Sequence, residues 1–269
     1  MKKWSRLWCF VPLCFQALLC VSFVYATPFT VYTAPVPDYM IRTGPTLDQS
    51  TGLITEIAAG AFRDAHIKVW MAPEMPWARA QSIAMLTPGA VLLELSRTPA
   101  REPHWKWLAL TFDEKIFAIS LQNHPGYTSI KDMKTRHARV GTRLGSGAAS
   151  LLQSNGIQVN EAVDTDTSFS QLASGEINVL LIQKFALRPA IEALRKGPHA
   201  RLLSPMIPQL RYTLLPDDVQ QWLVTSRATP AADAQRLGEA MNNFRKSGKY
   251  HALIIKYEAT VPPLNKAGE

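Results

Sequence analysis

Ser96-Arg97-Thr98-Pro99-Ala100-Arg101-Glu102 places a hydroxyl and two guanidinium groups just past Ala90 to Leu95, an apolar run that reads as a strand. Arginine's fixed fork of donors matches a carboxylate or phosphate in two parallel hydrogen bonds. Open α/β sheets bind ligands outside the carboxyl ends of their strands. The segment therefore predicts anion recognition, although a surface loop with solvated arginines satisfies the same pattern. Gly145-Ser146-Gly147 lies between a strand and a helix start, where free N–H groups and a hydroxyl can hold an anion's oxygens; a helix cap by Ser146 is the alternative. Trp77, after Pro76, and Tyr39 offer aromatic faces for a ligand side chain or a cation, and ordinary core packing would use them equally well. Glu94 supplies a carboxylate near the first segment.

Other chemistries find little support. The six histidines, His66, His104, His124, His137, His199 and His251, are scattered without paired ligand spacing, so no metal is expected. There is no Gly-x-Ser-x-Gly elbow, and Gly141 to Gly147 lacks the Gly-Lys-Ser/Thr of a nucleotide-binding loop. No cofactor is expected.

The start of the chain predicts export. Lys2, Lys3 and Arg6 precede an uncharged, mostly apolar run from Cys9 to Val24, and Val24-Tyr25-Ala26 suits cleavage after Ala26. The run is short for a membrane span of about 20 residues. All three cysteines lie in residues 1–26, so the mature chain would have no disulfide, thiolate ligand or cysteine nucleophile. The net charge of +8 falls to +5 without the leader, 26 basic against 21 acidic residues. That mild excess favours anionic ligands or an anionic membrane surface, and no basic helix or aromatic-interleaved basic patch points to nucleic acid.

The elements that must position these residues alternate in type. Strands are expected at 29–34, 67–71, 90–95 and 115–121, with helices at 52–66 and 77–86. The pattern restarts with strands at 138–142, 177–182, 210–215 and 221–225, and helices at 129–134, 147–154, 168–173 and 185–195. Asn155-Gly156, Gly175 and Gly197 provide stops. Helices over 229–245 and 249–257 follow, then a tail, 261–269. Alternation of this kind implies mainly parallel sheets flanked by helices, and two groups of elements imply two lobes.

Taken in order, these pieces resemble the amino-acid-type periplasmic solute-binding proteins of ABC importers over roughly 29–257. The matching pieces are Thr33 to Tyr39, Gly52-Leu53-Ile54, Pro76 to Ala80, Ser96 to Glu102, Ser129 to Lys134, Val140 to Ser146, Leu172 to Asn178 and Lys246 to Tyr250. The resemblance implies an α/β, two-lobed periplasmic binding protein fold with two hinge strands. Residues 1–26 would be the signal peptide, 27–117 plus 220–269 lobe one, and 118–219 lobe two. It implies a monomeric periplasmic protein that captures a small carboxylate-bearing solute, an amino acid or organic acid, between its lobes and serves an ABC permease or another inner-membrane partner. Arg101 would then hold the carboxylate with Ser96 beside it, Trp77 and Tyr39 would wall the cleft, and Ser146 and Gly147 would approach from the opposite lobe. Gln183 stands where the family usually places an aspartate for the ligand's ammonium; Glu94 could replace that charge, or the ligand could lack an ammonium. Asn178 also replaces an aspartate of the family pattern. No enzyme activity is expected. A cleft enzyme of the cyclohexadienyl dehydratase type and a ligand-sensing module acting in trans are the alternatives.

Overall fold

The computed structural model describes residues 28–36 and 39–259; the leader, its cut after Ala26 and the tail 261–269 lie outside the described residues. In chain order the elements are β1 (Phe29–Val31), α1 (Leu53–Asp64), β2 (Val69–Met71), α2 (Trp77–Leu86), β3 (Ala90–Ser96), β4 (Trp105–Leu121), α3 (Ile130–Thr135), β5 (Val140–Arg143), α4 (Gly147–Ser154), β6 (Val159–Ala162), α5 (Thr165–Ser174), β7 (Val179–Gln183), α6 (Leu187–Lys196), α7 (Ala200–Leu203), β8 (Leu210–Ser226), α8 (Ala231–Arg245) and α9 (Gly248–Glu258). Among the described residues no helix is long and apolar enough to cross a membrane.

All eight strands join one sheet in the order β2-β1-β3-β8-β4-β7-β5-β6. β1 runs parallel to β2 and β3, and β5 runs parallel to β6 and β7. Between these parallel ends lie β4 and β8, 17 residues each and antiparallel to one another. They run through both lobes. Along β4 the core changes hands between Phe112, which packs with Phe62, Leu93 and Phe244, and Ile116, which packs with Val140, Leu152 and Leu181. Along β8 it changes between Val219 and Leu223. In the second lobe Ile116 and Ala118 face one side of the sheet and Phe117 and Ile119 the other, each covered by helices. This two-residue period is what a strand buried on both faces requires.

Four sequence expectations need correction. The segments 210–215 and 221–225 are not separate strands but one. Pro216-Asp217-Asp218 reads as a turn, yet it sits at a register shift against β4 between Lys115 and Phe117, where the missing proline N–H breaks no regular ladder. Likewise β4 begins at Trp105, ten residues before the expected start. β6, absent from the sequence reading, is a four-residue edge strand carrying Asn160 and Glu161; too few alternating apolar residues mark it. Helix 185–195 starts at Leu187 instead, after a 3₁₀ turn over Lys184–Ala186.

The caps are local. Ser129, Ser146, Asp164 and Ser247 each accept a backbone N–H three residues on, satisfying one of the unpaired donors at each helix start.

Candidate functional site

The end of β3, the middle of β4 and the start of the return through β8 bring a polar cluster into the interior where the lobes meet. Glu94 is 4% exposed and Glu114 is fully buried. The Tyr39 hydroxyl donates to Glu114 Oε2 at 2.9 Å, and Gln221 Nε2 donates to the same oxygen at 3.0 Å. Gln221 Oε1 accepts from Ser96 Oγ at 3.4 Å. Glu94 has a different setting: its nearest cation is Arg143 Nη2 from β5, at 3.9 Å. Both Glu94 oxygens, Glu114 Oε1 and Arg143 Nε are buried without a hydrogen-bond partner among the described residues.

Burial sets the protonation of this cluster. It pushes Glu94 up to about 7, partly offset by the Arg143 charge. It pushes Glu114 up to about 8, assisted by repulsion from Glu94. Tyr39 is held well above its ordinary range by burial and by the charge of Glu114. An ion leaving water for this interior loses more than one distant cation restores.

A second group joins the lobes. Gly145 adopts φ +66°, which favours a residue without Cβ, and its carbonyl points at lobe one. Trp77 Nε1 donates to it at 3.1 Å, Arg101 Nη2 at 2.9 Å and Gln81 Nε2 at 3.4 Å. Arg101 Nη1 donates to the Ser96 carbonyl at 3.1 Å. Gly147 packs so tightly on Ser96 and Val219 that a Cβ there would strike both. Elsewhere Phe185 from the second lobe stacks edge-on with Phe112 of the first at 6.2 Å, and Lys184 pairs with Glu258 at 2.6 Å. The lobes therefore touch on both sides of the cleft.

Between these contacts is a cavity of about 770 Å³. Trp77, Met75 and Pro76 line it from lobe one, and Arg143, Gln183, Leu180 and Ala190 are among its lining from lobe two. Most of the wall is apolar side chain. Of the residues singled out in sequence, Trp77 and Gln183 reach this cavity. Arg101, Ser96 and Gly147 meet at the lobe contact, Arg101 with two donors engaged on backbone carbonyls. Tyr39 and Glu94 belong to the buried polar cluster. The Ser146 hydroxyl accepts from Ala149 N at 3.1 Å, so it caps α4. Arg97, the other arginine of the segment, pairs with Glu102 at 2.5 Å and lies over Trp107 and Trp222.

Three residues were not singled out in sequence. Glu114 lies in Asp113-Glu114-Lys115, which reads as a solvated charge run; a strand's two-residue period puts only the middle side chain indoors. Gln221 has no distinguishing pattern. Arg143 lies inside the matched Val140 to Ser146 piece, where only its position after a strand end could have drawn notice.

No family model and no curated protein sequence matches the chain. Solved structures do. A histidine kinase sensor domain with similarity to periplasmic binding proteins aligns at TM-score 0.68 and 14% identity, over 86% of this chain and 95% of that one. The arginine-, lysine-, histidine-binding protein ArtJ of Geobacillus stearothermophilus aligns at 0.64 and 13%, over 88% and 97%. An ancestral arginine-binding protein bound to arginine aligns at 0.63 and 13%, over 86% and 97%. The chain thus has the two-lobed periplasmic binding protein fold expected from the order of its motifs.

Proposed function

We propose that this chain is an exported solute-binding protein that captures a small carboxylate-bearing solute, an amino acid or an organic acid, in the cleft between its lobes. The observation that carries this reading is the cavity of about 770 Å³ walled from both lobes, a size suited to enclosing a small molecule. A ligand touching both walls stabilises the arrangement in which Gly145 accepts from Trp77, Gln81 and Arg101, so capture and closure are one equilibrium. The structural neighbours named for arginine, lysine and histidine support the amino-acid side of this reading.

In this reading residues 1–26 are removed after Ala26 and the protein works in the periplasm, handing its ligand to an ABC permease or signalling to another inner-membrane partner. The likeness to a kinase sensor domain favours keeping the sensing role beside import. We place the lobe border on β4 between Phe112 and Ile116, a few residues before the expected 117/118, and on β8 between Val219 and Leu223, beside the expected 219/220. An enzyme of the dehydratase type would need a positioned carboxyl at the ligand; the buried Glu94 and Glu114 do not line the cavity, and the carboxyls that do, Glu74 and Asp164, are exposed and accept from backbone N–H groups.

Calorimetry of ligand-stripped protein against a panel of amino acids and organic acids tests the proposal. Saturable heat without change of the solute, together with a more compact solution scattering profile, is the expected result. Steady conversion of a solute would make the chain an enzyme. An absence of binding to every member of both classes would refute solute capture.

A further inference from the structure

The cavity and the arginine of the matched motif are in different places. Arg101 faces the lobe contact and already donates to two backbone carbonyls. The guanidinium that lines the cavity is that of Arg143, at the end of β5. Its Nε has no hydrogen-bond partner among the described residues, its head lies 5.9 Å from the Trp77 ring, and the Glu94 carboxyl is 3.9 Å away. The Arg143 side chain is 26% exposed and makes no hydrogen bond among the described residues, so its terminal donors are open to a ligand oxygen from the cavity.

The negative groups of the cavity are otherwise engaged. Asp164 Oδ1 accepts from Thr167 N at 2.7 Å as the cap of α5. Glu74 is exposed at the rim, and its Oε1 accepts from the Arg42 backbone. Glu94, whose carboxyl burial raises to about 7, does not reach the cavity. Gln183, at the end of β7, offers a neutral amide with no side-chain hydrogen bond to the described residues. Thr142, Thr165 and Ser168 add hydroxyl residues, of which Thr142 and Ser168 donate to the Leu181 and Asp164 carbonyls, and most of the remaining wall is apolar, with Trp77, Met75 and Leu180 among it. Such a surface suits a bulky hydrocarbon and offers an ammonium no free, buried counter-charge.

Resting on the capture function proposed above, we infer that the ligand is a carboxylate with a large apolar or aromatic body and no α-ammonium, its head held by Arg143 and Gln183 and its body laid against Trp77 under α6. Arg143, from the second lobe, is then the anion contact, and Arg101 is the clasp that holds the lobes together.

The test is calorimetry on ligand-stripped full chain with 3-phenylpropanoate, L-phenylalanine, propanoate and L-arginine as probes. 3-Phenylpropanoate is expected to bind tightest, with L-phenylalanine, which adds only the ammonium and its charge, at least about tenfold weaker. Propanoate, lacking the body, is expected to bind more weakly still. Arg143→Met keeps an unbranched apolar stem and removes the charge; it is expected to weaken 3-phenylpropanoate by about tenfold to a hundredfold, the worth of a hydrogen bond to a charged group. Gln183→Ala, at a half-exposed position, is expected to weaken it less, and thermal melts of both variants confirm that they fold. Tighter binding of L-phenylalanine or L-arginine than of 3-phenylpropanoate, or an Arg143→Met protein with unchanged affinity, overturns this inference while leaving solute capture standing. Failure of all amino acids and organic acids to bind overturns solute capture itself.

Discussion

Replacing Glu114 with glutamine should change how stability depends on pH more than stability itself. In the folded chain the Glu114 carboxyl is raised from an ordinary 4.5 to about 8, chiefly by burial. Below pH 4.5 the folded and unfolded chains both hold its proton. Between 4.5 and about 8 the unfolded chain releases the proton while the folded chain keeps it, so stability falls as pH rises through that window. At about 1.4 kcal/mol per pH unit, the whole window corresponds to at most about 5 kcal/mol. Relaxation and water entry reduce such costs, so about 2 to 5 kcal/mol is the expected range. Glu94, raised to about 7, acts in the same direction but stops contributing near pH 7. In Glu114→Gln the new amide oxygen can still accept from Tyr39 and Gln221, and the pH-dependent part vanishes. Urea unfolding of both proteins at pH 5, 6, 7 and 8 measures the difference, in which groups common to both largely cancel. Relative to wild type, the variant should gain about 2 to 3.5 kcal/mol between pH 5 and 8, with part of the gain falling between 7 and 8. A difference constant to within about 0.5 kcal/mol, or wild-type stability that rises over this range, would refute the assignment of a neutral buried Glu114.

Further outcomes follow from the lobe contacts and helix packing. Gly147→Ala puts a methyl into Ser96 and Val219, so it should wedge the cleft, giving a larger radius of gyration by solution scattering with little loss of far-UV helix signal. Arg101→Ala removes the donors to Gly145 and Ser96 carbonyls; as a clasp rather than a ligand contact, it should weaken all bound solutes by a similar factor, about tenfold, and calorimetry that shows loss for one charge class alone would contradict this. Gly60→Ala drives a Cβ from α1 into the Phe244 ring of α8, and thermal unfolding should report a loss of about 1–3 kcal/mol from overpacking.

The fold was largely legible because its signals are local. Apolar runs such as Ala90 to Leu95 and Val179 to Ile182 mark strands buried on both faces. Periodic stretches such as Leu53 to Ala65 mark helices, and Ser146 and Gly175 mark their ends. Helices α2 and α4 lie where their spacing predicts. What the local pattern obscures is pairing between distant segments: the apolar runs 210–215 and 221–225 are separated by the polar Pro216-Asp217-Asp218, and only the register of this stretch against β4 makes it a bulge in one strand.

The sequence by itself determined an alternating α/β chain with an anion-type motif after the third strand, and it drew Arg101, Ser96, Trp77 and Glu94 into one neighbourhood. Tertiary structure decided what each of them meets. Arg101 meets carbonyls, Glu94 meets Arg143 across the lobes, and Glu114 is pulled from an apparently solvated charge run into the interior. The physical reason is that a side chain's charge state and partners depend on which surface of another segment it is pressed against. Apart from the Ser96 carbonyl beside Arg101, those contacts come from residues 44 to 107 positions away along the chain, which no local pattern encodes.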